Sequence, residues 1–127
     1  MPTRILLADD SPPIRKMLRS ILEIKSAREI CGEAEDGEAA VRLTQQLKPD
    51  VVVLDLAMPI MDGLEAARRI AVIAPTVVMM MFTLHVSEQL VKEAHKAGIR
   101  EVFSKSDGAV PRLVNAIESL FPLARCA

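Results

Sequence analysis

The chain has 127 residues, of which 50% are hydrophobic, and its 16 basic and 17 acidic residues leave a net charge of -1. This length and apolar content predict one domain with a full core. The balanced charge argues against a nucleic-acid or membrane-surface binder. The basic pairs Arg15-Lys16 and Arg68-Arg69 are too short for a basic patch, and we expect them on solvated helix faces.

The two cysteines bear on the compartment. Cys31 and Cys126 are far apart in the chain and lack metal-ligand spacing, which favours free thiols in a reducing environment over a bridge between them. The start of the chain runs directly into a short apolar strand, and no apolar stretch approaches the length of a membrane span. These features predict a cytoplasmic protein.

Short apolar runs alternate with helical patterns along the first half of the chain. Residues 5–8 predict a buried strand, after which Ser11 can cap a helix that has Pro12 in its first turn. Apolar residues from 14 to 22 recur at helical spacing and give this helix one apolar face. A weaker strand is expected over residues 28–33, followed by a helix that Asp36 can cap. The central run Val51–Leu54 predicts a strand buried on both faces.

The second half continues the alternation. An amphipathic helix over residues 64–71 ends before Pro75, and residues 76–82 predict a fourth buried strand, in which Met79–Met81 fill the core. A fourth helix contains Leu90 and Ala94 and closes at Gly98. Residues 101–104 predict a fifth strand and residues 110–121 a last helix. Five strands alternating with five helices predict an α/β fold in which helices cover both faces of a parallel sheet.

Polar residues follow four of the predicted strands. Asp9 and Asp10 follow the first strand, and Asp55, Thr83 and Lys105 follow the third, fourth and fifth. In a parallel sheet these ends meet at one edge, which is where open α/β sheets bind ligands. Carboxylates suit a hard cation such as Mg²⁺, while a hydroxyl and a lysine suit phosphoryl oxygens. We therefore predict a site that accepts a phosphoryl group.

These residues resemble the receiver domain of bacterial two-component response regulators. The resemblance rests on Asp9-Asp10, on Asp55 within Leu-Asp-Leu-Ala-Met-Pro, on Met-Asp-Gly at 61–63, and on Thr83 and Lys105. It covers nearly the whole chain and implies that residues 1–127 form one receiver domain. The implied fold is a flavodoxin-like, doubly wound five-stranded parallel sheet of order 2-1-3-4-5, with five helices on two faces.

The resemblance also implies a role for each site residue. Asp55 would accept the phosphoryl group of a phosphohistidine on a sensor histidine kinase or phosphotransfer protein, or that of a small phosphodonor. Thr83 and Lys105 would bind the transferred group. The Mg²⁺ ion would be held by the side chains of Asp10 and Asp55 and the carbonyl of Ala57, with Asp9 acting mainly through a bound water.

The implied function is a signalling switch that alters its partner-binding surface when phosphorylated. Such a domain assists its own phosphorylation and dephosphorylation but is not an enzyme. Its expected partners are the kinase and a downstream protein target, with no direct nucleic-acid or membrane binding. Helix 4, strand 5 and helix 5 would form the switching face, which is also the candidate surface for a homodimer.

Three positions depart from the family pattern. Ser106 follows Lys105 where many receivers have proline, so the usual cis peptide bond is not expected there. Val102 stands where family members usually carry a Tyr or Phe that rotates on activation, and strand alternation sends the neighbouring Phe103 to the opposite face. Leu84 follows Thr83 where small residues are usual. We expect its bulk to slow the entry of small phosphodonors or to lengthen the life of the phosphoaspartate.

Other interpretations have weaker support. The run over residues 31–69 looks like receivers fused to helix-turn-helix output domains, so the chain could be the receiver half of a transcriptional regulator. A flavodoxin-like cofactor binder needs a hydroxyl-rich phosphate loop where this chain has Asp9-Asp10 and Pro12-Pro13. A haloacid-dehalogenase-type phosphatase would carry a second acid at the position of Ala57.

Overall fold

A computed structural model describes residues 2–24, 26–106 and 108–122, so Cys126 lies outside the described residues. Its helices have 9 to 11 residues, and within the described ranges none combines the length and apolarity required to cross a bilayer. The elements are, in chain order, β1 (Thr3–Ala8), α1 (Pro12–Leu22), β2 (Arg28–Ala34), α2 (Gly37–Leu47), β3 (Val51–Leu54), α3 (Gly63–Ile73), β4 (Val78–Thr83), α4 (Glu88–Lys96), β5 (Glu101–Ser104) and α5 (Val110–Leu120).

The strands form one sheet in the order β2-β1-β3-β4-β5, and every neighbouring pair is parallel. This confirms the predicted doubly wound α/β fold. At the carboxyl edge, Ala8 pairs with both Ala34 of β2 and Leu54 of β3, while Thr83 pairs with Ser104 of β5. The residues that follow β1, β3 and β5 are therefore held at one edge of the sheet.

Each face of the sheet has its own apolar core. On one face, strand residues such as Leu6 and Val52 pack with buried side chains of α2, α3 and α4. On the other face, Ile5 and Val53 pack with buried side chains of α1 and α5. Successive strand residues alternate between the two cores, as the pleat requires. Five helices thus cover two faces, and the methionine run at 79–81 is buried in both cores, as predicted.

Helix ends follow the predicted capping pattern. The Ser11 hydroxyl accepts a hydrogen bond from the Ile14 amide at 3.4 Å, and the Asp36 carboxylate accepts one from the Ala39 amide at 2.7 Å. At the end of α4, Gly98 has a φ of 95°, a left-handed conformation that glycine adopts without steric cost. Polar caps and a terminal glycine therefore fix where these helices start and stop.

Three details of the predicted elements were wrong. The fourth strand begins at Val78 rather than at residue 76, because the amide of Val77 donates to the carbonyl of Ala74 in a turn (3.1 Å). The strand also extends to Thr83, which is its last residue. In α1, Ile21 was expected on the apolar face, but it is 42% exposed, since Leu18 and Leu22 form the buried stripe.

Candidate functional site

The site lies one step beyond the carboxyl ends of the paired strands. The amide of Asp9 donates to a carbonyl of β2, and that of Asp55 donates to the Ala8 carbonyl, each at 2.9 Å. The amide of Lys105 donates to the Thr83 carbonyl at 2.8 Å. These backbone bonds extend the sheet by one residue at three strands. The acids and the lysine are thereby fixed by rigid elements.

Lys105 joins two of the acids directly. Its Nζ donates to Asp9 Oδ2 at 2.6 Å and to Asp55 Oδ2 at 2.9 Å, across 96 and 50 positions of sequence. The side chains of Lys105, Asp9 and Asp55 are only 14%, 4% and 8% exposed. Two nearly buried carboxylates therefore share one nearly buried ammonium.

Burial and hydrogen bonding have opposite effects on the pKa values of Asp9 and Lys105. Burial raises the pKa of Asp9 above its usual value, although hydrogen bonds from Lys105 and the Ser11 amide oppose the rise. Burial alone would lower the pKa of Lys105, but its hydrogen bonds to Asp9 and Asp55 outweigh burial and raise it. The lysine is therefore held in its charged form at neutral pH.

Asp10 adds a third carboxylate, and its side chain is exposed. One carboxylate oxygen each from Asp9, Asp10 and Asp55 lies within 4.8 Å of the other two. Three carboxylates beside one ammonium leave an excess of negative charge, and oxygen ligands are those that a hard divalent cation prefers. The donor set therefore fits Mg²⁺, and the pocket above it is also lined by Ser11, Ile14, Leu56, Ala57, Thr83, Leu84, His85 and Lys105.

The β4–α4 loop forms one wall of this pocket. Thr83 is buried, with 3% of the residue exposed, whereas the following Leu84 is 51% exposed, and both line the pocket. His85 is exposed and also lines the pocket. The wall thus combines a buried threonine with an exposed leucine.

Two glycines hold the loop between β3 and α3 against the site. The Gly63 amide donates to the Leu56 carbonyl at 2.8 Å, and a Cβ at residue 63 would lie 2.1 Å from the carbonyl oxygen of Asp55. A Cβ at Gly37 would lie 2.1 Å from the Met61 carbonyl oxygen. Met-Asp-Gly is recognisable in the sequence as a motif of the family. Nothing in the sequence, however, indicates that its glycine lies against the backbone of Asp55.

Arg15 was expected on a solvated helix face, and this prediction was wrong. Its side chain is 14% exposed, and its Nη1 donates to the Asp9 carbonyl at 2.6 Å. Its Nε donates to Glu33 on β2 at 2.8 Å. By contrast Arg68 and Arg69 lie on the exposed face of α3, as predicted, and pair with an acid of the same helix. Two adjacent basic residues in a sequence do not indicate which of their side chains will contact the backbone at the end of a strand.

The two residues of β5 that bear on switching face opposite cores. Val102 packs against the core that contains α2, α3 and α4, whereas Phe103 is 5% exposed in the core that contains α1 and α5. This confirms that Phe103 does not replace the aromatic side chain expected at position 102. Val102 is only partly buried, and its strand β5 contacts α4.

The family model for the response regulator receiver domain matches residues 5–118. The chain belongs to the response regulator receiver domain family. Receiver domains bind Mg²⁺ at an acidic pocket, which corresponds to the cluster of aspartates described above. The chain is a receiver domain of a two-component response regulator, related to the receivers of CheY and CheB.

Relatives of two kinds were found. A protein-glutamate methylesterase/protein-glutamine glutaminase of Myxococcus xanthus is 44% identical over 108 residues, which is 84% of this chain but 31% of that protein. The chemotaxis protein CheY of Thermotoga maritima is 36% identical over 105 residues, which is 83% of this chain and 87% of CheY. The chain thus spans less than a third of the length of the methylesterase relative and corresponds only to its receiver part.

A solved structure agrees with the architecture throughout. The response regulator domain of CheB from Thermotoga maritima has a TM-score of 0.88 and 29% identity, covering 98% of this chain and all of that domain. These findings support the interpretation of the chain as a receiver domain of a two-component response regulator.

Proposed function

We propose that residues 1–127 form one receiver domain in which Asp55 accepts a phosphoryl group and so switches the protein between two signalling states. The contact that carries this proposal is the bridge from Lys105 Nζ to Asp55 Oδ2 at 2.9 Å, with Asp9 on the same ammonium. Burial of a carboxylate that is 8% exposed is costly, and the Lys105 ammonium offsets this cost while Asp55 still lines the pocket. Asp55 also lies at the edge where open α/β sheets bind ligands.

In the transfer step, an oxygen of the Asp55 carboxylate forms a bond to the phosphorus of a phosphohistidine. The phosphorus–nitrogen bond breaks, and the leaving imidazole takes up a proton. Lys105 pairs with an oxygen of the transferred group, and the Thr83 hydroxyl donates to another. These groups offset the charge that the transfer concentrates at the end of β3.

Mg²⁺ is the cofactor that we propose for this site. It would be held by the carboxylates of Asp10 and Asp55 and the Ala57 carbonyl, with Asp9 acting through a bound water. When bound, it supplies positive charge to the oxygens of the phosphoryl group. The chain's own contribution is to hold the ligands on adjacent strand ends, so that little reorganisation is needed.

The phosphodonor would be a sensor histidine kinase or a phosphotransfer protein, and a downstream protein would recognise the phosphorylated state. We propose that the output passes from Thr83 to the face formed by α4, β5 and α5, which is also the candidate homodimer surface. Because Val102 has no aromatic ring to swing, the change on this face would come from movement of the β4–α4 loop.

The test is to incubate the protein with Mg²⁺ and acetyl phosphate and to measure its intact mass. We expect the mass of one phosphoryl group to be added to the wild type and none to Asp55→Asn. Asp36→Asn is the matched control, because asparagine still caps α2, and it should be modified like the wild type. An unmodified wild type, or a modified Asp55→Asn, would contradict the proposal. Size-exclusion chromatography with beryllofluoride then tests for a dimer.

A further inference from the structure

Arg15 connects the acidic cluster to the edge strand of the sheet. On one side its Nη1 donates to the carbonyl oxygen of Asp9 at 2.6 Å. On the other side its Nε donates to Glu33 Oε1 at 2.8 Å, and Glu33 lies on β2 opposite Leu7 of β1. The guanidinium is planar and rigid, so these two contacts fix each other's geometry.

The carbonyl that Arg15 holds belongs to the peptide bond between Asp9 and Asp10. That peptide unit is planar, so fixing its oxygen constrains the backbone torsions on both sides, and with them the directions of both side chains. Asp9 has other restraints, namely Lys105 at 2.6 Å and the Ser11 amide at 2.9 Å. The exposed carboxylate of Asp10 accepts no hydrogen bond from the described residues, so its direction depends on the backbone.

Glu33 is itself held in its ionised form. Its second oxygen accepts from Arg19 at 2.7 and 3.0 Å, while its first accepts from Arg15. Burial alone would raise the pKa of Glu33, but the hydrogen bonds from the two arginines outweigh burial and lower it. The carboxylate on β2 is therefore a fixed anchor for Arg15 across the neutral pH range.

We propose that Arg15 is a positioning residue for the divalent cation, which it serves by holding the Asp9–Asp10 peptide so that Asp10 points at Asp55. This inference rests on the proposed function, since it assumes that the acids bind Mg²⁺. An ordinary surface ion pair would link α1 to β2 without affecting the cation. The direct, charge-assisted bond to the Asp9 carbonyl distinguishes Arg15 from such a pair.

Electrostatics alone makes the opposite prediction. Arg15 is a positive charge beside a cation site, so its removal would strengthen Mg²⁺ binding by Coulomb's law. The positioning role predicts weaker binding. The sign of the change in affinity therefore separates the two effects.

The experiment is calorimetric titration of the metal-free protein with magnesium chloride. We expect Arg15→Met to raise the Kd for Mg²⁺ by about tenfold, a typical effect of removing a group that orients a metal ligand. Arg19→Met is the matched control, because it also removes a positive charge and a bond to Glu33 but does not contact Asp9. Its Kd should stay within about twofold of wild type.

Thermal melting in chelator shows whether Arg15→Met folds. If it does not, a second variant, Arg15→Lys, tests the same inference. Arg15→Lys keeps the charge but cannot hold Glu33 and the Asp9 carbonyl with one planar group, so its Kd should also rise. An unchanged or lower Kd in either folded Arg15 variant overturns the inference. A wild type that binds no Mg²⁺, or an Asp10→Asn variant that binds it equally well, overturns the proposed metal site as well.

Discussion

Asp10 carries the most exposed of the three carboxylates that converge beside Lys105. Its charge repels those of Asp9 and Asp55, and at the observed separation of up to 4.8 Å each repulsion is worth about 1 to 3 kcal/mol, the lower figure applying to solvated groups. We expect Asp10→Asn to raise the Tm in chelator by about 4 °C. It should also remove most of the stabilisation by Mg²⁺.

Thermal melting with and without Mg²⁺ measures both effects. The measurement must use circular dichroism or calorimetry, because the chain has neither Trp nor Tyr. Asp36→Asn, which changes a carboxylate away from the cluster, should shift neither Tm. A lower Tm of Asp10→Asn in chelator would mean that the carboxylate stabilises the empty site, contrary to the expectation.

The sequence predicts which residues share the site but not how they pair. The sequence predicts that Asp9, Asp55 and Lys105 lie close together, because each follows a strand and parallel strands end at one edge of the sheet. The pairing of Lys105 with Asp9 at 2.6 Å depends on side-chain directions that only coordinates supply. The same holds for Arg15, whose position six residues after Asp9 says nothing about its bond to that carbonyl.

The β3–α3 loop shows how an element is held against the site. Gly63 begins α3, and its backbone lies so close to Asp55 that a Cβ would be 2.1 Å from the Asp55 carbonyl oxygen. We expect Gly63→Ala to push the loop away and to lower the free energy of unfolding by about 2 kcal/mol or more. The same shift should weaken Mg²⁺ binding, because Asp55 and Ala57 lie on this segment.

Chemical denaturation and magnesium titration test this prediction together. Gly32→Ala is a suitable control, because a Cβ there meets the ends of the flexible Leu47 and Leu6 side chains, nearest at 2.7 Å, rather than backbone. Those side chains can move, so the loss of stability should be smaller and the Mg²⁺ affinity unchanged. Equal effects of the two substitutions would argue that Gly63 has no particular relation to the site.

At the scale of elements, local chemistry predicts some boundaries and not others. Ser11 and Asp36 are found as caps, and Gly98 closes α4, because each acts through its own neighbouring backbone. The start of β4 was misplaced, since the bond from Val77 to the Ala74 carbonyl competes with the strand for the same residues. A run of β-branched residues cannot reveal such a turn.

At the scale of the whole molecule, alternation of strands and helices is enough to predict a parallel sheet with covered faces. It does not specify strand order. The order 2-1-3-4-5 is implied only by the resemblance to receivers, and the structure confirms it. The two cores follow from the pleat, which sends Val102 and Phe103 to opposite faces. Period-two alternation within strands is therefore more informative than composition.

The link between β2 and α1 predicts how global stability depends on pH. The pKa of Glu33 is lowered in the folded state, because the hydrogen bonds of Arg19 and Arg15 outweigh the effect of burial. Its contribution to stability is therefore fully present above its unfolded pKa, about 4.5, and is lost as the pH falls through the folded value. Asp9 has the opposite effect, because burial raises its pKa in the folded state. Its contribution to stability is present below its unfolded pKa of 3.8 and is lost as the pH rises above that value.

Comparison of the wild type with Glu33→Gln isolates the contribution of the Glu33 carboxylate to stability, since Asp9 is present in both proteins. Denaturation in chelator should find Glu33→Gln less stable at pH 7. The difference should shrink as the pH falls below about 4.5, because Glu33 is then protonated first in the unfolded chain and later in the folded protein. Because the Glu33 side chain is 31% exposed, added salt should reduce the difference at pH 7. Glu29→Gln, which removes a more exposed pair with Arg4, should change stability less. A Glu33→Gln difference that stays constant from pH 7 to pH 3 would show that the carboxylate acts through its shape and not its charge.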